Sequence, residues 1–228
     1  MDEDEANETI GNEQLYRALR LRVENYGSGN IVTYGHGTGF IVRSHSGSHY
    51  LVTNRHVVDR RYLPQDRKKW SSRGLASIEI NGFFQNQRDD EPTPQRTSLT
   101  IVDPTPVFPY SEDIDLAVIV LPNVGTKSLD LTFNNFDITL IEKRRSIIRG
   151  EVQVGSPLLM PGYPELGGGV SERPILVGGW IASDPRYSAS YAGNDYPRRV
   201  LGHSFSREGM SGAPVLSLSA DFRGALIA

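Results

Sequence analysis

Cysteine is absent from the 228 residues, which excludes disulfides, thiolate catalysis and Cys-ligated zinc and leaves the hydrophobic core to hold the fold. This fits a reducing compartment. An excess of one charge is also lacking: 24 Lys and Arg stand against 27 Asp and Glu, for a net charge of -3. No strongly basic field exists to drive nonspecific nucleic-acid binding, so nucleic acid is not expected as the main partner. No apolar run approaches the length of a membrane span, and no membrane partner is expected. The opening Met1-Asp2-Glu3-Asp4-Glu5 is acidic where a secretory signal is basic, and no apolar stretch follows it. The expected address is the cytoplasm, although a mature chain that had shed a signal would look the same.

What the chain does have is turn chemistry, with 23 glycines and 14 prolines between short alternating apolar runs. Candidate strands fall at 18–23, 39–43, 50–53, 77–80, 98–102, 116–121, 158–161, 174–182, 199–203, 213–218 and 222–227. This pattern predicts an all-β sandwich or a pair of barrels. Helix is scarce. Residues 12–20 predict a short helix feeding a strand, since Leu15, Tyr16 and Leu19 share a helical face while 19–23 alternates. Residues 56–59 predict a single helical turn. The segment 60–73 carries six basic residues and reads as a solvated loop or as a basic exosite for an acidic partner. The polar stretch 85–96 reads as a surface loop. Expected divisions are an extension with a short helix and first strand over 1–29, a first lobe over 30–125, a connection over 126–149 and a second lobe over 150–228.

Chemistry concentrates in Glu208-Gly209-Met210-Ser211-Gly212-Ala213-Pro214. Glycines on both sides of a serine allow a tight turn and leave amide N–H groups free to face a developing oxyanion. Taken alone, the string also reads as a Gly-Ser turn ahead of a strand. A hydroxyl nucleophile needs a base, and histidine suits the task near neutral pH. Of five histidines only His56 directly follows an apolar strand, in Leu51-Val52-Thr53-Asn54-Arg55-His56-Val57-Val58. The base in turn needs a carboxylate to hold its tautomer. Asp113 and Asp115 both precede the strand at 116–121, and Asp115, which abuts it, is the better placed for burial.

Four blocks, Thr38-Gly39-Phe40-Ile41-Val42, the His56 block, Asp115-Leu116-Ala117-Val118 and Gly209-Met210-Ser211-Gly212-Ala213-Pro214, resemble in order those of trypsin-like serine peptidases. They are most similar to the bacterial Deg/HtrA-type and related cysteine-free members. Met160-Pro161-Gly162-Tyr163-Pro164 resembles a further block of the second lobe in these members. The resemblance implies a chymotrypsin-like fold of two six-stranded antiparallel β-barrels with the active site between them. It implies that Ser211 is the nucleophile, His56 the proton shuttle and Asp115 its orienting acid, with the amides of Gly209 and Ser211 as oxyanion hole. No metal or organic cofactor is implied.

Three departures qualify the likeness. Met210 stands where many relatives carry an aspartate that pairs with a freshly cut N-terminus, so activation by that route is not expected. Phe205 occupies the position six before Ser211 where Lys/Arg-cutting relatives place an acid. Phe205, Ser206 and Glu208 are therefore candidate substrate-binding residues for a small or apolar P1 side chain. His203 reads either as part of that site or as a strand histidine satisfied by a neighbour. Finally, the sequence stops soon after the strand at 222–227, so the second barrel is expected to be incomplete and the chain to be one part of a longer polypeptide. The expected function is a serine endopeptidase acting on protein or peptide substrates, held latent until an activating domain or partner completes the cleft. The alternative is a catalytically silent domain that binds protein partners.

Overall fold

The computed structural model describes residues 14–26, 32–63, 74–84, 95–122, 135–141, 152–191, 194–196, 199–218 and 224–227. The fold is all-β. Its first strand, β1 (Leu19–Tyr26), shows why: the sequence alternates, and Leu19, Leu21, Val23 and Asn25 are buried while the residues between them are half-buried. Period-two burial of this kind puts one face of a strand on a core. A helical turn at Gln14 and Leu15 feeds directly into β1, as the sequence predicts for its described part.

Seven strands form the first sheet. β1 pairs antiparallel with β2 (Val32–Arg43) on one side and β4 (Leu75–Phe84) on the other; β5 (Gln95–Val102) adds outside β4. β3 (His49–Thr53) and β6 (Ala117–Val120) continue the sheet beyond β2. β2 is long enough to change neighbours: residues 32–39 pair with β1, and residues 40–43 with β3. Beside that second half runs β7 (Asn135–Asp137), parallel to β2, drawn from the stretch expected to be only a connection. The Arg43 guanidinium donates to Asp137 at 3.0 Å, and Asp137 also accepts from the Thr139 amide and hydroxyl. These donors, the Thr139 amide foremost, hold its carboxyl down to about 2.

The second sheet has five strands in the order β14 (Gly202–Ser204), β11 (Ile175–Ile181), β8 (Pro157–Gly162), β15 (Val215–Leu218) and β16 (Gly224–Ile227). Two small hairpins accompany it, β9 (Glu165–Leu166) with β10 (Gly169–Val170), and β12 (Ala189–Tyr191) with β13 (Asn194–Tyr196). The resemblance implies six strands per barrel; the described residues give seven and five, and no ladder among them closes either sheet. The difference in the first sheet is β7. Its edges do approach each other, because Val107, five residues past β5, exchanges two hydrogen bonds with Val118 of β6. The second sheet keeps two outer strands, β14 and β16, each with one partner.

Burial joins the sheets. The main core gathers Leu19, Leu21, Val23, Ile41, Leu51, Ile78, Ile80 and Ile119 inside the first sheet. A second cluster packs Leu216 of β15 against Phe40, Val42, Val52 and Phe136 of the first sheet, with Phe40 and Phe136 edge to face at 5.7 Å. Fully burying one such side chain contributes about 1.5–3 kcal/mol. That cluster fixes β15, and with it the Ser211 loop just upstream, against the strands that lead to His56. Among the described residues no helix is long and apolar enough to cross a membrane.

Candidate active site

His56 sits on a single helical turn, α1 (Arg55–Val58), immediately after β3. Val57 and Val58 are buried in the main core, and this anchors the turn. Its first amides lack intrahelical acceptors, as at any helix start, and the N-cap Asn54 does not serve them with its side chain. Asp115 does. Its Oδ1 accepts from the His56 amide at 2.9 Å while its Oδ2 lies 2.6 Å from His56 Nδ1. Asn54 Nδ2 donates instead to the Asp115 carbonyl at 2.7 Å. A carboxylate can only accept, so the neutral ring carries its proton on Nδ1 and presents a bare Nε2.

Burial alone pushes the Asp115 carboxyl up; the hydrogen bonds from the His56 ring, the His56 amide and the Arg55 amide outweigh it, and the carboxyl rests below its ordinary value. Asp113 is exposed, and its carbonyl accepts from the Arg199 guanidinium. Arg55 lies over the rings of Phe108, at 4.4 Å, and Tyr62, at 4.9 Å, and pairs with Asp59 at 3.1 Å. These contacts hold the turn that carries His56.

The Ser211 loop docks on this turn through its backbone. Ser211 O accepts from the Thr38 amide at 2.8 Å. A Cβ placed on Gly37 would stand 2.8 Å from Val57 Cγ1 and 3.2 Å from Ser211 O, so the residue after His56 and the serine's carbonyl meet over one glycine. Gly212, at φ +86°, packs its Cα against Thr38 O, Thr53 Oγ1 and the Asn54 amide. Gly209, at φ +85°, packs against Tyr163 O and the Glu165 amide. Both glycines occupy left-handed backbone where a side chain would also run into main chain. Gly212→Ala is expected to destabilise the fold by about 1–3 kcal/mol, read as a lower denaturant midpoint.

Each carbonyl of the loop has a donor, and this sets what its amides can do. Arg207 O accepts from the Met210 amide (3.1 Å), Glu208 O from the Glu165 amide (2.7 Å), and Gly209 O from Thr38 Oγ1 (2.7 Å). Met210 O accepts from the Ala213 amide (2.9 Å), and Ser211 O from Thr38. Trans peptides point N–H opposite to C=O, so fixing the carbonyls of Glu208 and Met210 fixes the amides of Gly209 and Ser211. Among the described residues, neither of those two amides donates to any acceptor. Two oriented, unused donors flanking a serine can receive negative charge on a bound oxygen. The Ser211 hydroxyl makes no hydrogen bond to His56 among the described residues.

The other predicted residues lie close in sequence to this loop but outside its core. Met210 is buried, and a Cβ on Gly162 would stand 2.6 Å from its Sδ, so its side chain makes an apolar contact there. Phe205 is 81% exposed. It tops a ladder in which His203 stacks on Trp180 at 4.9 Å and meets Phe205 edge-on at 6.4 Å, so the described partners of His203 are aromatic rings. Ser206 and Glu208 are exposed. Of the basic loop, Arg60 donates to Tyr34 O, and residues 64–73 lie outside the described residues, as do 85–94 of the second loop. Sequence reasoning missed Thr38, whose amide and hydroxyl hold the loop; its place between two glycines in a strand gave no chemical signal.

The family model for a trypsin-like peptidase domain matches residues 37–225, a span that includes His56, Asp115 and Ser211. No curated protein matches the chain significantly. The match covers most of the chain, agrees with the all-β architecture, and starts at the glycine over which the turn and the loop meet: the chain belongs to the trypsin-like peptidase domain family, a family of serine proteases with the chymotrypsin-like fold.

Proposed function

We propose that the chain is a serine endopeptidase that works through an acyl-enzyme. Ser211 Oγ attacks the scissile carbonyl as its proton passes to the bare Nε2 of His56. The carbonyl oxygen becomes an oxyanion and is received by the amides of Gly209 and Ser211. Asp115 holds the ring in the correct tautomer and stabilises the imidazolium. His56 then gives the proton to the leaving amine, the C–N bond breaks, and the acyl group remains on Ser211. Water, deprotonated by His56, attacks the ester and releases the second product. Phe205, Ser206 and Glu208, exposed just ahead of the loop, are the surface that meets a small or apolar P1 residue.

The observation that carries this reading lies in the loop: every carbonyl from 207 to 211 is engaged, while the Gly209 and Ser211 amides have no acceptor among the described residues. Incubation with unfolded casein tests it. New peptide termini are expected with the wild-type chain and none with Ser211→Ala.

A second reading has one observation in its favour. The missing hydrogen bond between Ser211 and His56 suits a latent protease, whose serine engages its base only with a substrate or partner in place, or a silent binding domain. Cleavage that appears only on adding a partner supports latency. Casein left intact under all conditions, beside a partner bound equally well by wild type and Ser211→Ala, supports the silent domain.

A further inference from the structure

We propose that the Thr38 hydroxyl is a positioning group for the oxyanion hole, an inference that rests on the peptidase reading above. Thr38 lies on β2 in the first sheet and is fully buried. Three of its four partners belong to the other half of the molecule. Thr38 Oγ1 accepts from the Tyr163 amide at 3.0 Å, which directs its own proton to Gly209 O at 2.7 Å. The Thr38 amide holds Ser211 O at 2.8 Å, and the Thr38 carbonyl accepts from Thr53 Oγ1 at 2.8 Å. All of this residue's hydrogen-bonding groups are thereby used, and three of the four bonds reach the serine loop or the segment it packs on.

Among the described groups that fix the loop's carbonyls, Thr38 Oγ1 is the one side chain; the rest are backbone amides. The peptide it holds is the one between Gly209 and Met210. That peptide links the two donor peptides, 208–209 and 210–211, whose own carbonyls are held by the Glu165 and Ala213 amides, so its orientation contributes to the distance and angle between the two N–H groups. Removing the hydroxyl strands two groups at once, Gly209 O and the Tyr163 amide, in a buried site where unpaired polar groups are costly. The linking peptide then keeps only the bond from its Met210 amide to Arg207 O, at 3.1 Å, and tilts toward another donor, which moves the two amides off their common oxygen. Displacements near 1 Å suffice to lose about 100-fold in rate.

Thr38→Val keeps the shape and removes the hydroxyl; Thr38→Ser keeps the hydroxyl. Turnover of p-nitrophenyl acetate is measured per Ser211 that titrates with a fluorophosphonate, so that unfolded chains do not count. Thr38→Val is expected to lower kcat about 100-fold with KM within about threefold, because the oxyanion forms only in the transition state. Thr38→Ser is expected to restore kcat to within about threefold. Should Thr38→Val fail to fold, the equally small pair Thr38→Ser and Thr38→Cys carries the same comparison, since a thiol is a weak donor. A Thr38→Val kcat equal to wild type, or a Thr38→Cys kcat equal to that of Thr38→Ser, overturns the proposal and leaves the peptidase reading standing. A folded wild type that neither hydrolyses the ester nor titrates overturns both.

Discussion

Ser211→Ala is expected to lower peptide or ester turnover by about 10⁵- to 10⁶-fold while leaving the fold and its stability essentially unchanged. The size follows from chemistry. With the hydroxyl gone no acyl-enzyme can form, and what remains is the binding of substrate and the two free amides of Gly209 and Ser211 acting on attack by water. The small effect on stability follows from the contacts. The loop is held by its carbonyls and by the glycines at 209 and 212, and the hydroxyl has no hydrogen-bond partner among the described residues. Steady-state kinetics and a denaturant titration of the same two samples check both halves. A comparable fall in stability would assign Ser211 a structural role instead.

Asp115→Asn is expected to lower kcat by about 10⁴-fold, with a pH signature in stability that Ser211→Ala lacks. Asparagine presents an amide NH₂ as well as a carbonyl. Facing Nδ1 with that NH₂, it favours the tautomer with the proton on Nε2, where the ring can no longer accept from Ser211. It also removes a charge-assisted partner for the His56 amide at 2.9 Å. The sign of the pH effect follows from the carboxyl's position below its ordinary value. The folded state then binds the proton less readily than the unfolded chain, so the carboxylate stabilises the fold above the ordinary Asp value of about 3.9. That contribution is lost as pH falls through the lower, folded value. The stability gap between wild type and Asp115→Asn should therefore be constant near neutrality and shrink in acid. A gap that instead widens below about pH 4 would contradict the pairing.

Most of the architecture is legible in the chain because it rests on local alternation. Leu19-Arg20-Leu21-Arg22-Val23 sends its apolar side chains to one face, and the matching strand sits in the middle of the first sheet. Leu51, Val52 and Thr53 end in the turn that bears His56, at the spacing the sequence implies. β7 was not legible. Its three residues, Asn135, Phe136 and Asp137, are too few to show a period, and they pair with β2 only because Phe136 finds a buried place beside Phe40. The two-residue strands β9 and β10 escape for the same reason.

At the site, His56, Asp115 and Ser211 stand out in the sequence because the proposed chemistry needs each residue type and each lies at a strand end or tight turn. The supporting contacts could not. Thr38 lies 171 residues from the carbonyl that its hydroxyl holds, and the Glu165 amide acts through the backbone, which any residue but proline supplies. Such contacts are properties of the folded chain. Phe205 illustrates the converse: its position before the loop is plain in sequence, whereas its place atop the Trp180 and His203 ladder depends on the register of β14 against β11.

The central claim, that Ser211 is a nucleophile activated by His56, is tested most directly by reaction of the folded chain with a fluorophosphonate and mapping of the adduct by peptide mass. One phosphonyl group per chain is expected on Ser211, forming at least about 100-fold more slowly in His56→Ala. A folded wild-type chain left unmodified, or modified at Ser211 at the same rate without His56, would contradict it.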